Sequence, residues 1–401
     1  MKQVLAAFCI LFSTWGFAAS RAGAEPSSTS TARAVMPQRA ERSKRREPTP
    51  SEPAQADWGK SRTLNGHRFP MGAFVPLGLP VSFVAVRAGV EYHSVPAFAE
   101  LPSLLSGGPQ DVELQTVNVA ENIDFAVRLH EYLAVFGDTY GRARVGANVA
   151  TLLGTGADYT YGGDVGAIAK LFRIGGFQLG VRASIGYYAG QSADVMALFH
   201  DLGAIARQVV SDVLQDLNTD LNQAIARINS AFWVATAELL TPFHGIQYGG
   251  SLDAVQALGS FVGLQLSLGT TLDSTTYSPS RFDVSSSAAY VMPGSVSTFR
   301  PFLAAALDLD LAPAGFPLDA MIEYKVSSVT MTSSLPDAPG TLSSIEHLVA
   351  LGAYYSGRTD LQLGITGYTL RGQLPLVSSA STTRSGKPRD VGVQLVFRYF
   401  W

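Results

Sequence analysis

The sequence predicts an all-β protein, a transmembrane antiparallel up-and-down β-barrel of about 12 strands. Three observations predict this fold: the last strand alternates strictly, eleven similar segments precede it, and the connections between segments are alternately short and long. In the stretch from Asp390 to Trp401 the apolar residues share one parity, so an extended strand carries them on one face. These residues are Val391, Val393, Leu395, Phe397, Tyr399 and Trp401.

The composition agrees with a barrel and excludes other classes. Hydrophobic residues make up 47% of the chain and charged residues only 15%, and there are 39 glycines. A membrane barrel has this composition because only alternate residues of each strand face lipid. Beyond the N-terminus no apolar run reaches the roughly 18 residues of a membrane helix. The formal net charge of −3 argues against a partner made of nucleic acid.

Twelve segments show the alternation that a half-buried strand requires. Each is long enough to cross a bilayer at a tilt, which takes about 9 to 11 residues. The predicted strands are 81–92, 115–129, 132–145, 162–173, 177–189, 246–257, 261–272, 298–311, 317–331, 344–356, 359–371 and 389–401.

The connections between these segments alternate between a few residues and long loops, as in barrels with short turns on one side of the membrane. Residues 281–292 also alternate, but an additional strand would make the count odd and break this order. We therefore interpret them as a loop or as a hairpin extension beyond the membrane. A barrel of 14 strands, with one further strand unrecognised, is the alternative.

The closing strand resembles that of a bacterial outer-membrane β-barrel, and the resemblance covers roughly residues 64–401. It implies residence in the bacterial outer membrane, with short turns in the periplasm, long loops outside, and outer-membrane lipid and the barrel-assembly machinery as partners. It also implies that this machinery reads the terminal alternating residues as an assembly signal. These residues are Val393, Leu395, Phe397, Tyr399 and Trp401. The oligomeric state is left open.

The N-terminus has the features of a secretory signal peptide over residues 1–24. Lys2 precedes an apolar core, and Ala22-Gly23-Ala24 forms a small-residue cleavage site. An uncleaved anchor is the alternative. Cys9 is the only cysteine, so the mature chain is expected to have none. Residues 25–63 are rich in Ser, Thr, Pro and Arg, which predicts a disordered periplasmic tail. Its basic residues could alternatively contact anionic lipid or cell-wall polymer.

Residues 192–240 break the β pattern. Apolar residues from Leu198 to Phe232 recur at steps of three and four, which is the pattern of one helix face. We expect a helical hairpin that bends near Asn218-Thr219-Asp220, in the extracellular loop between the fifth and sixth strands. A self-packed hairpin and a lid or plug over the barrel mouth are both compatible with this pattern.

Strand parity directs polar side chains of both signs into the barrel. The predicted lumen-lining residues are Asp124, Arg128, Asp138, Arg142, Arg182, Asp308, Glu323 and Arg398. One interpretation is a water-filled or gated path whose charges select solutes. The other is a set of ion pairs and hydrogen bonds that fills a narrow barrel.

The sequence predicts no enzyme, cofactor or metal site. The outer-membrane phospholipase family has a His-x-Ser-Asn-Gly signature that this sequence lacks. His93 and Ser94 are adjacent, but neighbours along a strand point to opposite faces and cannot act as base and nucleophile. The six histidines are scattered without metal-ligand spacing, and no glycine-rich phosphate loop occurs.

We therefore expect an outer-membrane channel or transporter for small solutes or hydrophobic compounds, with the helical loop as a gate. The alternative is a closed structural or surface-interaction barrel with no transport role.

Overall fold

The computed structural model describes residues 62–99, 110–147, 157–193, 240–278, 280–283, 288–291, 294–334, 340–372, 375–376, 384–385 and 389–401. Twelve long strands in these ranges form one closed barrel. We number them in chain order as Phe83–Ala99 (β1), Gln110–His130 (β2), Leu133–Gly146 (β3), Ala157–Ile174 (β4), Phe177–Ala193 (β5), Leu240–Ala257 (β6), Val262–Tyr277 (β7), Gly294–Asp310 (β8), Leu318–Ser333 (β9), Gly340–Tyr355 (β10), Leu361–Gly372 (β11) and Arg389–Phe400 (β12).

Each strand pairs in antiparallel fashion with the next, and the last strand closes the ring on the first. Val393 of β12 lies opposite Gly367 of β11 on one side and Val90 of β1 on the other. A closed ring leaves no strand edge unpaired, which is the condition for strands to exist in lipid. The five short connections lie at the end where β1 begins and β12 ends. We call this the short-turn end, and the opposite end the long-loop end.

The barrel carries its apolar side chains outward. Val391 and Leu395 of β12 and Trp401, which follows it, are 49%, 58% and 41% exposed, whereas Asp390 and Arg398 are buried. Large apolar residues on each of the remaining eleven strands are exposed in the same way, including Ile123 on β2 and Leu351 on β10. An apolar surface of this extent, with polar groups inside, is suited to lipid and unsuited to water.

The predicted strands are all present, and the fold is the predicted all-β barrel of 12 strands, so the 14-stranded alternative is wrong. Several strands continue further towards the long-loop end than the sequence indicates. β4 begins at Ala157, five residues before its predicted start, and β6 begins at Leu240. Beyond the lipid neither face of a hairpin must be apolar, so pairing continues after the alternation has ended.

Residues 280–283 and 288–291 lie outside the barrel, as the sequence indicates. Ser280–Asp283 pairs with Ala288–Val291 in a separate two-stranded sheet between β7 and β8. The predicted signal peptide (1–24) and almost all of the predicted tail lie outside the described residues, as does the predicted helical hairpin of the 192–240 insertion apart from residues 192, 193 and 240, which belong to β5 and β6. In the described part of the chain, no helix is long and apolar enough to cross a membrane.

The hydrophobic core lies inside the barrel near the short-turn end. Residues 62–82, which we call the internal segment, supply much of it. Leu64, Phe69, Leu77, Leu79 and Val81 of this segment are at most 5% exposed. They pack against inward-facing residues at the ends of the strands, among them Phe83, Val255 and Phe400. A second cluster surrounds Val75 and includes Ala304, Met321, Tyr354 and Val396.

Candidate functional site

The internal segment lies in the lumen, because side chains from opposite sides of the ring bind it. Six strands (β5, β7, β8, β9, β11 and β12) provide these side chains, and only the inside of the ring is within reach of all six. They are Gln178, Arg182, Gln265, Asp308, Glu323, Gln362 and Arg398. The internal segment therefore occupies the lumen at the short-turn end.

The segment begins with a small hairpin. Thr63–Leu64 pairs with His67–Arg68, and Asn65 and Gly66 between them have φ values of 49° and 85°. Two successive positive φ values define the turn type for which Asn-Gly is strongly preferred. The N–H of Phe69 donates to the carbonyl of Arg62 at 3.1 Å and closes the hairpin.

Arg62 fixes this hairpin to the barrel rim. Its side chain is buried, donates to Gln362 Oε1 at 3.2 Å and to the carbonyl of Thr359 at 3.4 Å, and lies 3.9 Å from the centre of the Phe400 ring. Burial, and after it the charge of Arg68, lowers the pKa of Arg62 to about 9. The cation is retained at neutral pH and binds neutral acceptors and an aromatic face.

His67 connects the hairpin to β8. Its fully buried imidazole hydrogen-bonds through Nε2 to Asp308, while Nδ1 lies 3.3 Å from the carbonyl oxygen of Ser260. The Phe69 ring packs edge-on against it at 4.6 Å. Burial opposes protonation, but the hydrogen bond and charge of Asp308 outweigh it and raise the pKa of His67. The strength of this contact between the internal segment and the wall therefore depends on whether His67 is protonated.

Glu323 binds the backbone of the segment. Oε1 accepts the N–H of Ala73 at 2.9 Å, and Oε2 accepts the N–H groups of Phe74 at 2.8 Å and Val75 at 2.7 Å. Three successive N–H groups that converge on one carboxylate form an anion-binding nest. The carboxylate is fully buried, so these bonds supply the compensation that a buried charge requires.

Side-chain amides and arginines bind the rest of the backbone. Gln362 accepts the N–H of Met71 at 3.3 Å and donates to its carbonyl at 3.1 Å, as a neighbouring strand would. Arg398 donates to the same carbonyl at 2.8 Å. Further along, Arg182 donates to the carbonyl of Leu77 at 3.2 Å. After residue 68 the segment pairs with no strand. Side chains of the wall therefore supply the hydrogen-bond partners that its backbone groups require.

The structure divides the predicted lumen-lining residues into two groups. Four of them bind the internal segment: Arg182, Asp308, Glu323 and Arg398. The other four are Asp124, Arg128, Asp138 and Arg142, of which Arg128 meets the segment through its backbone N–H, which donates to Ser82 Oγ at 2.9 Å.

Of this second group, Asp124 binds Arg87 through two hydrogen bonds of 2.5 Å, and Asp138 Oδ1 accepts the N–H of Asp164 at 3.2 Å. The Arg128 guanidinium donates to the carbonyl of His130 at 3.3 Å, and Arg142 is exposed.

Carboxylates on three neighbouring strands form a row on the inner face of the barrel wall. Asp124, Asp138 and Asp164 are direct cross-strand partners on β2, β3 and β4. Further round the ring, Tyr188 donates to Asp273 at 2.7 Å. All of these groups face the interior of the barrel. They make this part of the inner wall polar, in contrast to the apolar contacts around Val75 and Leu77.

Sequence reasoning missed the internal segment itself and the groups that hold it, such as Arg62, His67, Gln265 and Gln362. Two signals were present in the sequence. Asn65-Gly66 is a hairpin turn signal, and the stretch Phe69 to Val81 is apolar but contains three prolines, Pro70, Pro76 and Pro80. Such a stretch is unsuited to a central strand, and its apolar residues must be buried elsewhere.

In the described ranges, no group of three or more His, Cys, Asp or Glu side chains is arranged to hold a metal ion. No protein-family model matches the sequence, and no match is found among curated proteins. The closed ring, its outward apolar belt and its polar interior define the class as a transmembrane β-barrel of the bacterial outer-membrane type.

Solved structures that are similar to this chain include the following three. The β domain of the Bordetella autotransporter BrkA is 11% identical with a TM-score of 0.40, over 80% of this chain and 99% of that one. The translocator domain of the autotransporter NalP from Neisseria meningitidis is 9% identical with a TM-score of 0.42, over 80% and 89%. The Pseudomonas putida toluene transporter TodX is 9% identical with a TM-score of 0.35, over 80% and 89%.

Proposed function

We propose that this chain is a channel or transporter for small solutes in the bacterial outer membrane, and that the internal segment is its closed gate. The observation that carries the proposal is the way in which the lumen is filled. A barrel can fill its interior with its own side chains, whereas here a separate length of backbone enters from the rim, reaches Val75 and returns to the rim at Ser82. Such a segment can move without disturbing the strand pairing.

The type of bonding supports a reversible closure. Glu323 accepts backbone N–H groups of residues 73–75, and Gln362 and Arg398 donate to the backbone carbonyl of Met71. Water can replace each partner once the segment moves, so the net free energy of such a bond is only about 0.5–1.5 kcal/mol, or about 1.5–3 kcal/mol where the partner is charged. Opening exchanges bonds and does not leave groups permanently unpaired.

Polar solutes fit the remaining lumen better than hydrophobic compounds do. The inner face of the wall carries the Arg87–Asp124 ion pair and the carboxylates of Asp138 and Asp164. Charged walls of this kind favour hydrated solutes and discriminate by charge. The predicted helical loop within 192–240 is proposed as a second gate at the opposite mouth.

Export through a cleaved signal peptide and assembly by the barrel-assembly machinery belong to the same proposal. The terminal signal is Val393, Leu395, Phe397, Tyr399 and Trp401, and all five side chains are exposed on the outside of β12. Such a row is accessible to a protein that receives the strand before the ring closes. A shift of the chain from outer membrane to periplasm on Phe397→Asp would support this role.

A closed barrel with a structural or surface-interaction role is the second candidate. The observation that favours it is the depth of burial of the internal segment, in which Leu64, His67 and Phe69 are 0% exposed and Arg62 is 1% exposed. In that case the segment is a permanent part of the core. Its removal would then destabilise the barrel without creating a conducting state.

Planar-bilayer recordings separate the two candidates. The test protein lacks residues 62–81 and keeps Ser82, because Ser82 Oγ accepts the N–H of Arg128 and its carbonyl accepts the N–H of Trp401. We expect larger and longer conductance steps than in the intact chain. A variant that folds, judged by heat-modifiable gel mobility, yet remains silent would contradict the channel proposal.

A point variant tests the same proposal without a deletion. Glu323→Gln retains the size of the side chain but weakens the nest, so we expect more frequent openings. Glu121→Gln is the matched control, because Glu121 is exposed on the outside of β2. Equal opening frequencies in the two variants would count against gating by the internal segment.

A further inference from the structure

Three basic side chains are direct cross-strand neighbours on the outside of the barrel. His347 on β10 lies opposite Arg371 on β11, and Arg371 lies opposite Arg389 on β12. All three are exposed and share the parity of the outward-facing residues. Since neighbouring strands are about 4.8 Å apart, the row is roughly 10 Å long at the backbone. We call these residues the basic row.

The basic row lies at the border of the apolar belt nearest the long-loop end. Arg371 is about ten residues from the start of β11, and Arg389 is about as far from the end of β12. At a rise of about 3.3 Å per residue and a tilt of about 40°, this corresponds to roughly 25 Å, the height of the apolar band in such barrels. Tyr92, opposite Val391, is an exposed aromatic near this level, as expected of an interface girdle.

The row carries an unbalanced positive charge. Arg371 and Arg389 face each other directly, and like charges in this position destabilise a strand pair. No ion pair in the described ranges joins either arginine to an acid. The adjacent acids face inward and are paired there, Asp390 with His93 and Glu346 with Arg300 at 3.7 Å. An anion from outside the described chain would relieve this repulsion.

The third member is oriented by a neighbour on the same surface. The hydroxyl of Tyr324 lies 2.8 Å from Nδ1 of His347, and the two rings are nearly parallel. This contact occupies Nδ1 and leaves Nε2 available to an anion that already contacts Arg371. Two guanidinium groups and one imidazole on adjacent strands provide several donors with a common direction.

We propose that the basic row binds the phosphate of a phosphorylated glycolipid in the outer leaflet. Guanidinium groups match phosphate oxygens with paired hydrogen bonds, and lipid phosphates lie at the level where an apolar belt ends. The acyl chains would lie below the row, along exposed side chains such as Ile365 and Val391. The inference rests on the proposed outer-membrane location and does not depend on transport.

Titration of the purified full-length protein in neutral detergent with diphosphoryl lipid A, followed by native mass spectrometry, tests this assignment. We expect the double variant R371Q/R389Q to raise the dissociation constant about tenfold or more, because two charge-assisted contacts are lost. The double Arg→Lys variant should recover part of the affinity, since it keeps the charge but not the paired geometry. Removal of the phosphates from the lipid should weaken binding to wild type as much as removal of the two arginines weakens binding of the diphosphoryl form.

The matched control is Arg173→Gln, which removes an exposed arginine near the short-turn end of β4. Unchanged affinity in R371Q/R389Q, or an equal loss in R173Q, would overturn the proposal. Inorganic phosphate should not compete at equal concentration, and tight binding of phosphate alone would overturn the assignment to a lipid.

Thermal unfolding gives a second readout that does not depend on measured affinity. In neutral detergent R371Q/R389Q should be at least as stable as wild type, because the repulsion between the arginines is gone. Diphosphoryl lipid A should raise the melting temperature of wild type only. Conductance is recorded separately. A wild-type protein that binds the lipid but shows no conductance would contradict the channel proposal and would leave the proposed lipid site unaffected.

Discussion

A Cβ atom placed on Gly72 would lie 2.5 Å from Oε2 of Glu323, the oxygen that accepts the N–H groups of Phe74 and Val75. The two residues come from the internal segment and from β9, and they are 251 positions apart in the chain. Any side chain at position 72 must displace a carboxylate that three backbone N–H groups hold in a buried site. The close approach of backbone to wall therefore requires glycine.

Gly72→Val is the first prediction. The new side chain should push the segment away from Glu323 and destabilise the closed arrangement by about 1–3 kcal/mol, the usual cost of overpacking. We expect longer open times in bilayer recordings. Gly367→Val is the control, because a Cβ there meets no atom within 4 Å. Identical recordings from both variants would show that the contact with Glu323 does not hold the segment in place.

The second prediction concerns pH and the His67–Asp308 contact. Asp308 raises the pKa of His67 above its unfolded value despite burial. The stabilisation is therefore complete below about pH 6.5, where histidine is protonated in both states, and is lost as pH rises through the folded-state pKa.

The difference in melting temperature between wild type and His67→Gln should accordingly shrink as pH rises. His244→Gln, which alters an exposed histidine, should show no such trend. A difference that stays constant or grows with pH would contradict the assignment.

The third prediction tests the lipid-facing side of β12. Leu395 is 58% exposed on the outside, whereas its neighbour Gln394 faces the interior. An arginine on the lipid face near mid-membrane costs about 2–4 kcal/mol. We expect Leu395→Arg to lower the free energy of unfolding from liposomes by about that amount, and Gln394→Arg to change it less. A larger loss of unfolding free energy in Gln394→Arg than in Leu395→Arg would mean that the outward face does not contact lipid.

The barrel was predictable from sequence because lipid imposes a period of two on every strand. Parity in the sequence predicts that Val391, Val393 and Leu395 face outward, and in the structure they do so, alternating with inward-facing residues. Strand ends were less accurate where that constraint stops. β1 continues to Ala99, seven residues beyond its predicted end, and pairs there with β2.

The internal segment was not predictable in the same way. Its contacts join residues 62–82 to side chains as distant as Arg398, and no local period encodes them. Parity pointed Glu323 and Asp308 inward, but whether an inward carboxylate meets water, an ion pair or backbone N–H groups depends on the segment that occupies the lumen. The role of Gln265 and Gln362 in binding the segment could not be predicted, because glutamine is common on inward faces.

Reversible covalent closure of the lumen is the most direct test of gating by the internal segment. A Cβ on Gly72 would lie 2.7 Å from Cδ of Glu323. The two Cβ atoms are therefore at most about 5 Å apart, close to the spacing that a disulfide requires, and Cys9 is the only native cysteine.

Planar-bilayer conductance of G72C/E323C should be lowest when oxidised, because the segment is tied to β9. It should exceed that of wild type when reduced, because the Glu323 nest is gone. Each single variant should be insensitive to the oxidant. Equal conductance of the oxidised and reduced double variant, with the disulfide verified by mass spectrometry, would contradict gating by residues 62–82.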